Sequence, residues 1–599
     1  MISSQIALSN SDSSSQSEIH HSKKSKQKES TQSQQKKQRL AIASHGISIT
    51  KVIFIISGDS ATVRYELSIS LESRTVSFQA NNEDLNDEKS FLNAVPPGFS
   101  LSPIPRAFSH LRAMLMSDVA NAEWEAMVTT TGWYQWNGKA VFVHAGGVIG
   151  SDNNRNMEHG SETIGTPQVN NIKDVNLICS DVPILSSKTQ PIKDLSLMAS
   201  ERLSKYRLSI PQSKEEAQAA VVTVLELFKI GNPSVTYIAI PALFSAALRD
   251  PRFALFIHGQ TGTLKTAFSL LLQSFFVPNV EESDCASFKS TENALRARFS
   301  ETGNVAVVVD DYVQPRGARN GGEEARKAEN FLRSIVNATG KERSRSDGTL
   351  RPQNRPRGLA IITGEQLPDG LDSLQQRSVN LSVDMETFAS ATSGDRPNQF
   401  DIFQAAAARG VFSHAMGGFI AWAANCFDEL NQQLDTDFYD FSDSPGVHRR
   451  LLEAISDIAW GMQFFLQYAK SLEVCSEEEY EEHLSIFSDA IYALMYQSRD
   501  DSRAACPTEQ FASTIQASMS SLRCHIEVKN FKEYCERPRS VPLELLGYTK
   551  HRIPVSNEAI ADDGQGIQTD RKSNADVTEF REEYKPHGKR IGWMMISLT

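Results

Sequence analysis

The chain has 599 residues, 40% apolar and 22% charged, the balance of a folded protein of about three to four domains, which excludes collagen-like, disulfide-scaffold and wholly disordered classes. Its net charge of −12 excludes a globally basic nucleic-acid surface, so any contact with a polyanion must be local. Seven scattered cysteines without a C-x-x-C pair argue against a zinc ribbon or disulfide framework. With no apolar run near the ~20 residues of a membrane span and no apolar signal core, a cytoplasmic protein without a membrane partner is expected.

Residues 1–45 read as a disordered Ser/Gln/Lys-rich tail; the first 39 carry seven basic and three acidic side chains and hardly any large apolar ones. Such a segment buries too little to offset its ordering entropy. A β-rich N-terminal domain is expected over 46–200. Its runs Ile47 to Ile56, Val63 to Leu71 and Thr75 to Phe78 predict an antiparallel meander, and a helical stretch follows from Phe108 to Trp124. Trp133, Tyr134 and Trp136 suit a sheet-face core better than a base-stacking platform. Ser213-x-x-Glu216 has the form of a capping box opening a helix to about Lys229. A second helix, Ser234 to Leu248, and an apolar strand, Phe253 to Ile257, lead into the chemistry.

Gly259-Gln260-Thr261-Gly262-Thr263-Leu264-Lys265-Thr266 stands between that strand and a helical stretch, Ala267 to Phe276, the context of a phosphate-binding P-loop. Glycines let backbone N–H groups form a nest, the helix N-terminus adds its positive end, Lys265 would reach the β and γ phosphates of ATP, and Thr266 would hold Mg2+. Leu264 departs from the pattern, which has Gly before the Lys. Val305 to Asp311 reads as a buried parallel strand ending in paired carboxylates, a Walker B pattern in which Asp310 serves the magnesium and Asp311 orients the attacking water. A third strand, Leu359 to Ile362, ends in Thr363, a candidate contact to the γ-phosphate or water. Arg377, before a strand-like run from Ser378 to Val383, suits a finger reaching a neighbouring subunit.

The segments His258 to Thr266 and Val309 to Asp311, with Thr131-Gly132-Trp133, Val143 to Gly150 and Gly358 to Glu365, resemble an uncharacterised-domain ATPase family of plasmids, prophages and integrative elements. Its better-understood relatives are the self-loading cassette-chromosome replicative helicases, whose AAA+ ATPase is similar to MCM helicases. The resemblance covers roughly residues 95 to 390, with a looser helical continuation to about 500. Within that family the Thr-Gly-Thr-x-Lys form of the loop recurs. The resemblance implies a homo-oligomer, a hexameric or similar ring that moves on DNA, single-stranded or forked.

Residues 341–357 carry six basic and two acidic side chains. Lys341, Arg343, Arg345, Arg351, Arg355 and Arg357 are therefore the candidate DNA contacts, on a stretch whose Asp347-Gly348 is a hairpin-turn signal and whose place before the third strand resembles the pore hairpin of superfamily 3 and MCM helicases. Past the ATPase core, 201–395, helical spacing over Phe403 to Phe427 and Arg449 to Leu472 predicts a helical lid or bundle, 396–505. A winged-helix module is expected over 506–599, from a helix (Thr508 to Leu522), a strand (Cys524 to Val528) and a closing strand (Ile591 to Ile596). The fold class read from the sequence is thus multidomain α/β with an AAA+-like P-loop core on a parallel sheet. The function read is an ATP- and magnesium-dependent DNA motor of helicase type from a mobile element. The alternatives are an AAA+ ATPase remodelling a protein partner and a nucleotide-binding scaffold without turnover.

Overall fold

The computed structural model describes residues 42–71, 74–150, 173–180, 192–313, 321–337, 355–367, 377–394, 397–436, 438, 447–505, 568–571, 578–581, 583–584 and 591–592. Residues 1–41 of the expected tail, the 508–522 helix and the 524–528 strand lie outside them; the last four residues of that tail are instead part of the fold, with Ala43 buried and bridged to Leu101. Two compact units are formed, one from residues 1–441 and 448–490, the other from 442–447 and 491–599.

The first unit opens with the meander read from the sequence: β1 (Gly46–Ser57), β2 (Ser60–Leu71) and β3 (Arg74–Asn81) pair antiparallel. The register of β1 on β2 shifts between Ile49 and Lys51. Because side chains alternate between faces, this bulge at Thr50 changes the parity of the strand, and Ile47 and Ile49 share a core with Val52, Phe54 and Ile56. Two helices follow, α1 (Glu88–Ala94) and α2 (Ala107–Asp118). The expected helix to Trp124 is wrong at its end. Glu123–Val128 is strand β4, parallel to β1, with burial alternating along Trp124, Ala126 and Val128. The short window lets one apolar pattern satisfy either period, and pairing with β1 decides it.

A second sheet is built from β5 (Gly132–Trp136), β6 (Lys139–His144), β7 (Gly147–Gly150) and β8 (Lys173–Asp174), in the order β7-β6-β5-β8. After α3 (Val175–Ser180), strand β9 (Asp194–Leu197) returns to the first sheet, whose order is β3-β2-β1-β4-β9. Trp133 and Tyr134 are buried, so the aromatic cluster is core. The Trp133 indole N–H donates to the Ala247 carbonyl at 2.7 Å and its ring packs on Phe427 at 4.2 Å. Gly132, at φ 115°, comes so near Asn304 that an added Cβ would lie 2.4 Å from its Oδ1. Thr131 completes the joint by donating to the Gly303 carbonyl at 2.8 Å. The Thr-Gly-Trp motif thus fastens the N-terminal sheets to the loop before the strand Ala306–Tyr312.

His144 makes a second joint. Its Nδ1 accepts the backbone N–H groups of Gly146 at 3.1 Å and Leu208 at 3.0 Å, which requires a neutral ring. Burial, with Arg207 adding to it, pushes its pKa down to about 4 from 6.5. Between these values the unfolded chain binds the extra proton, so stability falls as pH drops from 6.5 through 4, by about 3 kcal/mol. His258 and His483 are shifted in the same direction by burial. The expected result is a thermal midpoint that falls between pH 7 and pH 4.5, with a shallower fall in His144→Gln, whose amide oxygen accepts without titrating. An equal slope in the two proteins would contradict this account.

Helices α4 (Lys214–Leu227) and α5 (Pro233–Leu248) precede the central sheet. Ser213 caps α4 by accepting from Glu216 N–H, while the Glu216 carboxylate accepts from Gln212 N–H at 2.7 Å, one residue outside the expected box. Every residue of α5 from Val235 to Leu248 is buried, as in a helix surrounded by protein.

The central sheet comprises β10 (Ala254–His258), β11 (Ala286–Ser287), β12 (Ala306–Tyr312), β13 (Leu359–Gly364) and β14 (Ser378–Ser382), all parallel in the order β11-β12-β13-β10-β14. Its helices are α6 (Lys265–Gln273), α7 (Glu292–Glu301) and α8 (Gly321–Val336). Beyond β14 come α9 (Ala389–Thr392), α10 (Gln399–Ala408), α11 (Val411–Asn425), α12 (Phe427–Leu434) and α13 (Arg449–Ser471), with α14 (Glu477–Ala505) continuing the chain. The single helical stretch expected over 403–427 is broken at Gly410, at φ 77°. The long helix α13 lies against α5, where Phe244 stacks on Phe465 at 4.3 Å. No described helix is long and apolar enough to cross a membrane.

In the second unit, β15 (Gln568–Arg571) pairs antiparallel with β16 (Thr578–Arg581) and β17 (Glu583–Tyr584) with β18 (Ile591–Gly592).

Candidate nucleotide-binding site

In a parallel sheet the loops that follow the strands gather at one end. Here that end collects the loop after β10, the carboxylates ending β12 and the end of β13. The loop from Gly259 to Leu264 turns directly into α6. Gly259 lies so close to the chain after β14 that a Cβ would sit 1.8 Å from the Val383 carbonyl oxygen; no other residue fits there.

Leu264 stands at φ 64° and ψ 17°, the residue before α6. It holds the left-handed backbone that glycine adopts freely, at a strain of about 1–2 kcal/mol. Thus the loop keeps the path of the glycine form with a leucine in it. Leu264→Gly relieves the strain and Leu264→Ala does not, so the Gly variant is expected to be more stable than the Ala variant by about 1 kcal/mol, the reverse of the order in a helix interior. Denaturant midpoints of the pair check this; an Ala variant as stable as Gly would refute it.

Four of the expected residues form one hydrogen-bonded cluster. The Thr266 hydroxyl donates to Asp310 Oδ1 at 3.1 Å. Thr363 donates to the same oxygen, and its own Oγ1 accepts the Asp311 N–H at 3.1 Å. Asp311 adopts φ 64°, and the β12–β13 register shifts between Val309 and Tyr312. This irregularity sends two consecutive carboxylates out of one strand end. Asp311 reaches an exposed ion pair with Lys289 at 3.3 Å. Lys265 donates to the Gln260 carbonyl at 2.6 Å; its pKa is lowered by burial, with Glu365 and Asp310 opposing. Thr263 is buried and donates to the same Gln260 oxygen at 2.8 Å.

No motif marks Gln273, at the far end of α6. Its buried Oε1 accepts the Val308 N–H at 3.1 Å, satisfying a strand donor beyond the two-residue reach of β11. Glu365 directly follows β13 and belongs to no catalytic motif. Its carboxylate accepts from the Thr261 hydroxyl at 2.6 Å. The signal was available: any residue just past the end of a strand beside β10 faces the loop.

Arg377 is elsewhere. β14 runs parallel to β10 with Ser378 opposite Ala254 and Ser382 opposite His258, so Arg377 lies at the end of the sheet away from Gly259, about 16 Å along the strand. It cannot serve the nucleotide loop of its own chain. Around it are Arg450, Arg333 and Glu329; burial first, then the two arginines, lower its pKa.

Of the basic stretch, Lys341, Arg343, Arg345 and Arg351 lie outside the described residues. Arg355 is exposed. Arg357 is engaged internally, with its Nε 3.1 Å from Asp250 Oδ2. Burial pushes the Asp250 carboxyl up and Arg357 opposes that most, so this arginine acts as a counter-ion within the fold and is not presented to a polyanion.

Among the described residues no group of three or more His, Cys, Asp or Glu side chains could hold a metal. The pairing of Thr266 with Asp310 nevertheless has the donor chemistry of a magnesium site of the P-loop kind, in which water and phosphate supply most of the ligands.

No family model matches the chain, and no curated protein matches it. Solved structures that match in part include a JCV helicase bound to a thiazolopyridinyl-phenoxyphenyl acetamide, at 11% identity over 42% of this chain and 74% of that one with a TM-score of 0.19. Another is the apo C-terminal region of NrS-1, at 11% identity over 60% of this chain and 71% of that one with a TM-score of 0.24. Likenesses this loose carry no argument, and the P-loop-type α/β core rests on the strand order and the contacts of the loop.

Proposed function

We propose that this chain is an ATP- and magnesium-dependent ATPase that drives a DNA motor of helicase type. The observation that carries the reading is the convergence of the Thr266 and Thr363 hydroxyls on one carboxylate oxygen of Asp310 beside the Lys265 loop. In this reading the loop amides and the start of α6 bind the phosphates, and Lys265 leaves Gln260 to neutralise charge on the transferred phosphoryl group. Thr266 and Asp310 would hold magnesium, which supplies charge neutralisation at the phosphates when bound. Thr363 fixes the Asp310 carboxylate, and Asp311 orients the attacking water. Arg377 acts on the nucleotide of a second copy, which is why a ring or similar homo-oligomer belongs to the proposal.

DNA is proposed as the substrate from the local basic charge of residues 341–355 in an acidic chain. Contacts of that kind release counterions and weaken steeply with salt. The test is phosphate release with and without single-stranded DNA across a salt series. Stimulation that fades as salt rises is expected. Turnover indifferent to DNA at every salt would leave an ATPase with a protein partner, and no turnover at all would leave a nucleotide-binding scaffold.

A further inference from the structure

Glu365 places a carboxylate on the loop that the reading above assigns to phosphates. Thr261 lies near the middle of that loop, and its hydroxyl is held by Glu365 Oε1 at 2.6 Å. The Glu365 charge also bears on Lys265, whose ammonium is itself turned onto the Gln260 carbonyl at 2.6 Å. In this conformation the Thr261 and Thr263 hydroxyls and the Lys265 ammonium all donate to the protein's own oxygens. Glu365 follows Thr363 by two residues on the same chain, and Thr363 is tied to both Asp310 and Asp311. The carboxylate is exposed, so it can swing away without breaking the core.

We propose that Glu365 is a positioning residue that latches the phosphate loop through Thr261 when the site is empty and is driven off by the terminal phosphate of a nucleoside triphosphate. A triphosphate brings negative charge toward the loop, and a carboxylate already there opposes it. A diphosphate, which lacks the terminal group, meets less of this opposition. Release of the latch moves the residue that continues β13, so the strand bearing Thr363 registers which nucleotide is bound. The proposal rests on the nucleotide-site reading and adds a discrimination that the loop motif does not contain.

The test is equilibrium binding of fluorescent ATP and ADP analogues, with magnesium, to the full chain. Glu365→Gln keeps an acceptor for Thr261 and removes the charge, so its ATP-to-ADP affinity ratio is expected to rise about fivefold, the scale of one unit-charge interaction screened by water. Thr261→Val frees the carboxylate and is expected to raise the ratio about twofold to threefold, the scale of a modest net hydrogen bond. Thr261→Ser, which restores the hydroxyl, should return it to the wild-type value. Thermal midpoints of the nucleotide-free variants report whether each is folded, and Glu365→Gln alone suffices if Thr261→Val is not. Affinities for ATP and ADP that shift together, or not at all, overturn the latch while leaving the site reading intact. Wild-type protein that binds neither analogue overturns both.

Discussion

Lys265→Ala protein is expected to fold as the wild type does and to release phosphate at least about a hundredfold more slowly, the scale of removing one preorganised charge from a developing phosphoryl transition state. The fold should survive because the only described hydrogen bonds of the Lys265 ammonium are to its own loop, at Gln260 and Thr263. Asp310→Ala is expected to lose turnover similarly, but with a further cost: the hydroxyls of Thr266 and Thr363 both lose their acceptor. The two variants should thus separate in melting temperature while agreeing in activity. Purified Lys265→Ala protein that turns over ATP at the wild-type rate would sink the nucleotide-site reading.

The second large effect is expected at Arg377. An arginine supplied across an interface contributes about 10³ to 10⁵ in rate, and the position of Arg377 at the opposite end of β14 from the nucleotide loop confines any such role to a neighbouring copy. Burial weighs most on its charge, with Arg450 and Arg333 adding to that and Glu329 opposing them. Arg377→Ala should therefore bind nucleotide normally and hydrolyse it at least about a thousandfold more slowly. Mixed in excess into wild type, it should depress turnover by more than dilution. Activity per wild-type subunit that is indifferent to the mixture, and to dilution to the monomer, would remove the intersubunit site.

Much of the central sheet was legible because its signals are local: a continuous apolar strand, a glycine-bearing loop, a helix, and two carboxylates closing a valine run. The meander was legible for the same reason, since alternation over β2 needs no knowledge of its partners. What was not legible depends on partners remote in sequence. Trp124 belongs to a strand because β1 is beside it, and Leu264 is tolerable because the loop around it compels a left-handed backbone. Arg357 counted as one more positive charge in a basic stretch until Asp250, more than 100 residues earlier, was placed against it. The pairing of Thr261 with Glu365 is of the same kind, joining two loop ends that only the parallel order of β10 and β13 brings together.

The joint made by Thr131 also sets a timetable for biosynthesis. Its acceptor, the Gly303 carbonyl, lies 172 residues later, and at roughly 5 to 20 residues per second a ribosome needs about 10 to 30 s to deliver it. The Ala247 carbonyl reaches Trp133 within that interval, 114 residues on, but the Phe427 ring that covers it in the finished fold is made only after Gly303. The nascent N-terminal half thus carries an incompletely covered aromatic ring on strand β5, the kind of transient surface that recruits chaperones or misassembles between neighbouring chains. Fragments ending before Gly303 should accordingly be retained by chaperones or aggregate, and those extending past α12 should not, which makes the yield of truncated chains a report on when the joint closes.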